Sequence, residues 1–177
     1  MRLGRPHLET NVDKKTSERS RTITWEDPSA SASAIRKFSG LEFLRKIRDG
    51  EIANPPIAQT LDFRLTRVEP GEATFECDAA EFHYNPAGGV YGGMLATLLD
   101  SAMTCAVQTQ LPAGTGTTTL EFKINFVRPM TVATGHLICT AKVIHFGSRI
   151  ATAEGKIADG TGKVYAHGTT TCIILAP

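Results

Sequence analysis

The stretch from Gly92 to Gln110, GGMLATLLDSAMTCAVQTQ, constrains the fold more than any other part of the chain. It has the length and composition of one helix of about five turns, ~28 Å long. It is apolar or small on almost every face, so the rest of the chain must surround it. Asp100 lies at its centre and is the only Asp, Glu, Lys or Arg between Glu81 and Glu121. Burying a lone carboxylate is costly, so Asp100 is either satisfied by hydrogen bonds or opens onto a site where a carboxylate does chemistry. Just before the helix, HYNPAGGVYGG, His83 to Gly93, forms a glycine-rich turn that delivers free backbone N–H groups at the helix start.

With 177 residues, 41% of them hydrophobic, the chain supports one sizeable core. Two units are expected: an arm over residues 1–33, polar, Ser-rich and disordered or loosely docked, and a folded domain over residues 34–177. Trp25 is the candidate anchor of the arm. A net charge of +1, with no long basic stripe in the folded region, argues against nucleic acid as a partner. The first residues, MRLGRPHLET, lack the apolar stretch of a secretory signal. A central Asp, costing ~2.5–3.5 kcal/mol in a bilayer, argues against the long helix as a membrane span. Cys77, Cys105, Cys139 and Cys172 are widely spaced, with no CxxC pair and no Cys/His cluster at metal spacing. They read as buried thiols in a reducing, cytoplasmic setting, and no metal or redox cofactor is expected.

Along the chain, Ile35, Phe38, Leu41, Leu44 and Ile47 recur every three residues, predicting an amphipathic helix over Ala34 to Arg48, broken only by Gly40. After Pro55-Pro56 the period becomes two. Leu61, Phe63 and Leu65 alternate with polar neighbours, Pro70-Gly71 turns the chain, and Ala73, Phe75 and Cys77 alternate again, which predicts a hairpin. Beyond the long helix, TTTLEFKINFVRP predicts a strand with Leu120, Phe122, Ile124 and Phe126 on one face, ended by Pro129. Three more strands follow, roughly Gly135 to Phe146, Arg149 to Ala158 and Lys163 to Ile174. The fold class is therefore α+β, a curved antiparallel sheet wrapped around one long central helix with a further N-terminal helix. Edge pairing of two such sheets would make a homodimer and protect the edges.

Gly92 and Gly93 offer N–H groups with the positive end of the helix dipole behind them, suited to a developing oxyanion; glycines also simply let a turn pack closely. Gly92 and Asp100 are eight positions apart, about 12 Å along the axis, too far to serve one carbonyl group from the same helix. Two subunits with antiparallel helices would bring the start of one beside the middle of the other, so that each site takes its oxyanion donor from one chain and its carboxylate from the second.

HYNPAGGVYGGMLATLLDSAM followed by TTTLEFKINFVRP resembles the hotdog-fold acyl-CoA thioesterases of the phenylacetate-degradation type, over roughly Gln59 to Ile174. The resemblance implies that Asp100 is the nucleophile or the general base that activates water, and that Gly92 supplies the oxyanion N–H. It implies that Asn85 helps place water or the thioester, with capping of the turn as its other role. It puts Thr119 on the strand position that assists Asp100, where a threonine also serves as a β-former. The family's His before Gly-Gly is Tyr91 here, which donates one hydrogen bond and carries no positive charge near neutral pH. His83 matches the first His of the motif, at a place that suits a structural role as well as substrate contact beside Gly93. For the CoA nucleotide the resemblance points to the region of His145 to Arg149, where Arg149, or else Arg128, would meet phosphate.

These readings imply an acyl-CoA thioesterase that acts on a small-molecule thioester without a cofactor, as a homodimer or a dimer of dimers. Tyr91 motivates the alternative of a non-catalytic acyl-CoA-binding protein. A hydratase or dehydratase would need a catalytic His that this motif lacks. Met94, Leu98, Met103 and Phe126 are candidates both for core and for an acyl pocket.

Overall fold

The computed structural model describes residues 18–175; the first 17 residues of the expected arm lie outside the described residues. The elements run α1 (Ser29–Ala34), α2 (Gly40–Arg48), α3 (Pro56–Leu61), β1 (Phe63–Glu69), β2 (Glu72–Asp78), α4 (Gly92–Gln108), β3 (Gly116–Phe126), β4 (His136–Phe146), β5 (Ile150–Asp159) and β6 (Val164–Leu175). All six strands form one antiparallel sheet in the order β1-β2-β4-β5-β6-β3, leaving β1 and β3 at its edges.

The long helix packs against every strand, and the division of volume explains how it fits. Leu95, Leu98, Leu99 and Met103 of α4 are buried, while the sheet beneath supplies small residues, among them Ala151, Ala153, Ala166 and Cys172. Gly155 continues that row: a Cβ there would sit 3.0 Å from the Met103 side chain. Large on the helix and small on the sheet brings the two layers close without voids. Burial of each large side chain contributes roughly 1.5–3 kcal/mol. Met94, Leu98 and Met103 are thus core, whereas Phe126 stays 53% exposed.

The helix expected over Ala34 to Arg48 forms only from Gly40 onward, as α2; α1 already ends at Ala34. Ser39 interrupts it by accepting from the Glu42 backbone N–H while the Glu42 carboxylate accepts from the Ser39 N–H, a capping box that starts α2 afresh. Gly40 follows because α2 crosses the end of α4 there: its N–H donates to the Leu111 carbonyl at 2.9 Å, and a Cβ would lie 1.7 Å from the Gln108 carbonyl oxygen.

Leu61 is the end of α3 rather than the start of a strand. Pro56 occupies the first turn of that helix, where its missing N–H costs nothing. Asp62 then takes a left-handed conformation, φ 57°, and turns the chain into β1 at Phe63.

Trp25 does not anchor the arm; it is 60% exposed. Arg21 does. Its guanidinium donates to the carbonyls of Thr60 (2.8 Å) and Gln59 (3.0 Å), satisfying orphan acceptors at the end of α3, and stacks 4.1 Å from the Phe82 ring centroid.

In β3 the pairing with β6 slips between Thr119 and Glu121, so Leu120 is a bulged residue. Residues paired across a sheet share a face: Thr119 pairs with Cys172, and Phe122, Ile124 and Phe126 pair with Thr170, Gly168 and Ala166. The bulge therefore places Thr119 on the same inner face as Phe122, Ile124 and Phe126, and takes Leu120 out of the alternating row. A regular strand would have turned Thr119 away from the helix.

Candidate active site

Asp100 sits half-buried on the third turn of α4, within reach of β3. Its Oδ1 accepts a hydrogen bond from the Thr119 hydroxyl at 2.7 Å. The Thr104 hydroxyl, one turn further along α4, lies 3.0 Å from the Thr119 hydroxyl and 3.5 Å from Asp100 Oδ1. The other carboxylate oxygen, Oδ2, has no protein partner among the described residues. One oxygen is thus fixed by threonine while the second is free to take a proton or to attack. The Cys105 thiol next to it is pushed up to about 12 by burial and then by the Asp100 charge, which keeps it neutral. Cys77 is likewise raised to about 12, chiefly by burial.

The start of α4 is built by the preceding turn. Asn85 Oδ1 accepts from the backbone N–H groups of Ala87 (2.9 Å) and Gly89 (3.4 Å), so its carbonyl caps the turn, and its amide N–H groups donate to no acceptor among the described residues. His83 is buried with both ring nitrogens taken: Nε2–H donates to the Leu61 carbonyl at 2.8 Å, and Nδ1 accepts from the Ala80 N–H at 3.2 Å. Burial holds its pKa below the ordinary imidazole value, so it is a neutral framework residue. Its carbonyl accepts from the Tyr91 N–H at 2.7 Å, which sets the angle at which the chain enters α4.

Tyr91 is the N-cap of α4, but its side chain makes no capping hydrogen bond. The ring instead folds over Gly93, where a Cβ would approach a ring carbon to 2.6 Å. The N–H groups of Gly92 and Gly93 donate to no acceptor among the described residues, and they carry the positive end of the α4 dipole. Phe126 flanks them, its ring 3.4 Å from where a Gly92 Cβ would stand.

The structure brings Asp100, Thr119 and Thr104 together. It keeps Gly92 two helical turns away, about 12 Å along the axis. The two arginines are also apart. The Arg128 guanidinium donates to the Val164 carbonyl, whereas the Arg149 carbonyl accepts from the Ile174 N–H. Val164 and Ile174 stand ten residues apart on β6, roughly 33 Å at strand rise, so one protomer cannot direct both arginines at one phosphate. Sequence reasoning missed Thr104; its i+4 spacing from Asp100 on a helix was the available signal. Among the described residues there is no cluster of His, Cys, Asp and Glu that could hold a metal ion, and no helix is long and apolar enough to cross a membrane.

Residues 87–166 match the family model described as the Thioesterase superfamily. A candidate esterase of Halobacterium salinarum is 38% identical over 88 residues, 49% of this chain and 56% of that protein, so the match spans little more than half of the archaeal protein's length. Human acyl-coenzyme A thioesterase 13 is 28% identical over 108 residues, 60% of this chain and 76% of the human protein. The crystal structure of a phenylacetic acid degradation-related protein from Ralstonia eutropha JMP134 is 29% identical, with a TM-score of 0.67, covering 73% of this chain and 98% of that one. The curved six-stranded sheet with one long helix against it is the hotdog fold that such proteins share.

Proposed function

On the match of residues 87–166 to the thioesterase superfamily, we propose that this chain hydrolyses acyl-CoA thioesters at two sites shared between the subunits of a homodimer. The observation that carries the reading is the position of both candidate points on one edge strand: Thr119, which holds Asp100, and Phe126, which flanks Gly92, are both on β3. The edge of β3 away from β6 pairs with no strand among the described residues, and Leu120, Phe122 and Phe126 of this strand are 57%, 43% and 53% exposed. An exposed apolar edge of that kind invites pairing with another strand. Antiparallel pairing of β3 with its own copy about a two-fold axis near Phe122 and Lys123 sets Thr119 beside the partner's Phe126. Asp100 then faces the partner's Gly92, and the 12 Å gap within one helix closes between two.

In each site the thioester carbonyl oxygen accepts from the Gly92 N–H, with the Asn85 amide and the Tyr91 hydroxyl beside it. Asp100 takes a proton from water through its free oxygen. The water oxygen bonds to the carbonyl carbon, and the tetrahedral oxyanion is held at the helix start. Collapse breaks the carbon–sulfur bond, and the CoA sulfur leaves as a thiol with the proton that Asp100 held. Thr119 and Thr104 keep the carboxylate oriented. Arg149 or Arg128 meets the CoA phosphates from the surface. Tyr91 supplies one neutral hydrogen bond where a His would carry charge.

The test is thiol release from a panel of acyl-CoAs by wild type and Asp100→Asn in parallel. Turnover is expected in the wild type and at least a hundredfold loss in the folded variant. Full turnover by Asp100→Asn would sink the mechanism. Tight acyl-CoA binding with no turnover in either protein would favour a binding domain, the reading that Tyr91 motivates.

A further inference from the structure

A cavity of about 300 Å³ opens beside Asp100, and neither the acyl group nor the residues that select it follow from the chemistry above. It lies between the two edges of the sheet, with Phe63 and Phe75 from β1 and β2 on one side and Thr117 to Thr119 of β3 on the other. α3 contributes Pro55, which caps it, and Ile57, which is 48% exposed. Phe63 and Phe75 pack edge to face with centroids 5.7 Å apart and form a rigid apolar wall. We infer, resting on the thioesterase reading, that this cavity receives the acyl group of the substrate, that the group is apolar and uncharged, and that Ile57 sets its length.

The lining has two kinds of residue: the Asp100 carboxylate with the hydroxyls of Ser101, Thr104 and Thr117 to Thr119, and the apolar Pro55, Ile57, Phe63 and Phe75. No Lys, Arg or His lines the cavity, so an acyl chain with a second carboxylate would enter beside Asp100 with nothing to balance its charge. Ile57 can act as a stop because α3 is held from outside: Arg21 binds the carbonyls of Gln59 and Thr60 at its end. A hydrophobic pocket discriminates one methylene by about 10- to 200-fold. A change of side-chain volume at Ile57 therefore registers clearly in the acyl profile, and its exposure leaves the core undisturbed.

The experiment compares wild type, Ile57→Trp and Ile57→Ala over straight-chain acyl-CoAs from acetyl to palmitoyl, together with succinyl-CoA. Hydrolysis is followed by thiol release, and affinity for the matching S-alkyl-CoA thioethers is measured by calorimetry. The thioethers cannot be cleaved, so they probe the cavity whether or not turnover occurs. Ile57→Trp should move the optimum to shorter chains, lowering the preference for the wild-type optimum over acetyl by at least tenfold. Ile57→Ala should move it to longer chains, and succinyl-CoA should fall at least tenfold below butyryl-CoA in the wild type. The same chain-length order in all three proteins, in hydrolysis and in thioether binding, overturns the assignment. Absence of hydrolysis with a thioether profile that follows Ile57 overturns the thioesterase reading and leaves the cavity's role standing.

Discussion

The proposed shared site makes a quantitative prediction through one backbone proton. Gly92 is the first residue of α4, and its N–H donates to no acceptor among the described residues, so proline at this position deletes the donor and little else. The first helical position accepts proline readily. The preceding residue must be extended, and Tyr91 already is, at φ −67° and ψ 132°. A Cβ at Gly92 would meet the Phe126 ring at 3.4 Å, an ordinary contact. Gly92→Pro should therefore fold and dimerise normally while kcat falls ~10²–10³-fold, the loss of about 2.7–4 kcal/mol that follows removal of one oxyanion donor. Asp100→Asn should inactivate the other half of the proposed site. Co-expressing the two variants tests the geometry: in a mixed dimer one site keeps both Gly92 and Asp100, and the other has neither. With random assortment half of the dimers are mixed and half of their sites are intact, so about a quarter of wild-type activity should return. Two affinity tags isolate the mixed dimer, and thiol release measures it. Activity no higher than that of the parent variants would refute the shared site, as would a Gly92→Pro homodimer with undiminished kcat.

Two predictions concern the framework. Gly40→Ala drives a Cβ into the Gln108 carbonyl, and since both groups are backbone neither can rotate aside. The cost, about 3 kcal/mol, exceeds the ~1 kcal/mol that alanine gains over glycine in a helix, and Tm should drop by roughly 4–8 °C; an unchanged Tm would show that α2 does not rest on the end of α4. His83 has a folded-state pKa below its ordinary 6.5 because it is buried, so the unfolded chain binds more protons in the interval between them. Its share of stability is present above pH 6.5 and is lost as pH falls through the folded value. Urea denaturation at pH 7 and pH 5.5 should show wild type losing more stability than His83→Gln; equal losses would show that His83 does not control the acid response.

Much of the fold was legible because burial leaves a direct mark on composition. The Gly92 helix reads as enclosed from its residues alone, and the strands after it fall within a residue or two of their expected bounds, because alternation and glycine turns fix them locally. Asp100 and Gly92 stood out as candidates for the same reason: a single carboxylate in an apolar stretch, and glycines at a helix start. Other features depend on distant contacts. Leu61 fits the alternation of Phe63 and Leu65, yet it ends a helix, since Pro56 and the left-handed Asp62 outweigh a short period-two pattern. Trp25 looked like an anchor by its size, but Arg21 binds because carbonyls at the end of α3 lie within its reach.

The sequence by itself determined that one apolar helix must be enclosed by antiparallel strands, that a carboxylate stands at its middle, and that free N–H groups stand at its start. Only the tertiary structure decided that Thr119 meets that carboxylate. The alternation of Leu120, Phe122 and Phe126 assigns Thr119 to the opposite face; the bulge at Leu120 reverses that assignment, and a bulge arises from the register between β3 and β6, which is set across 50 residues of chain. The same holds for the cavity beside Asp100, whose walls come from opposite edges of the sheet and meet only because the sheet curves around the helix. Composition and period are local and survive in the sequence, whereas register and curvature belong to the packed whole.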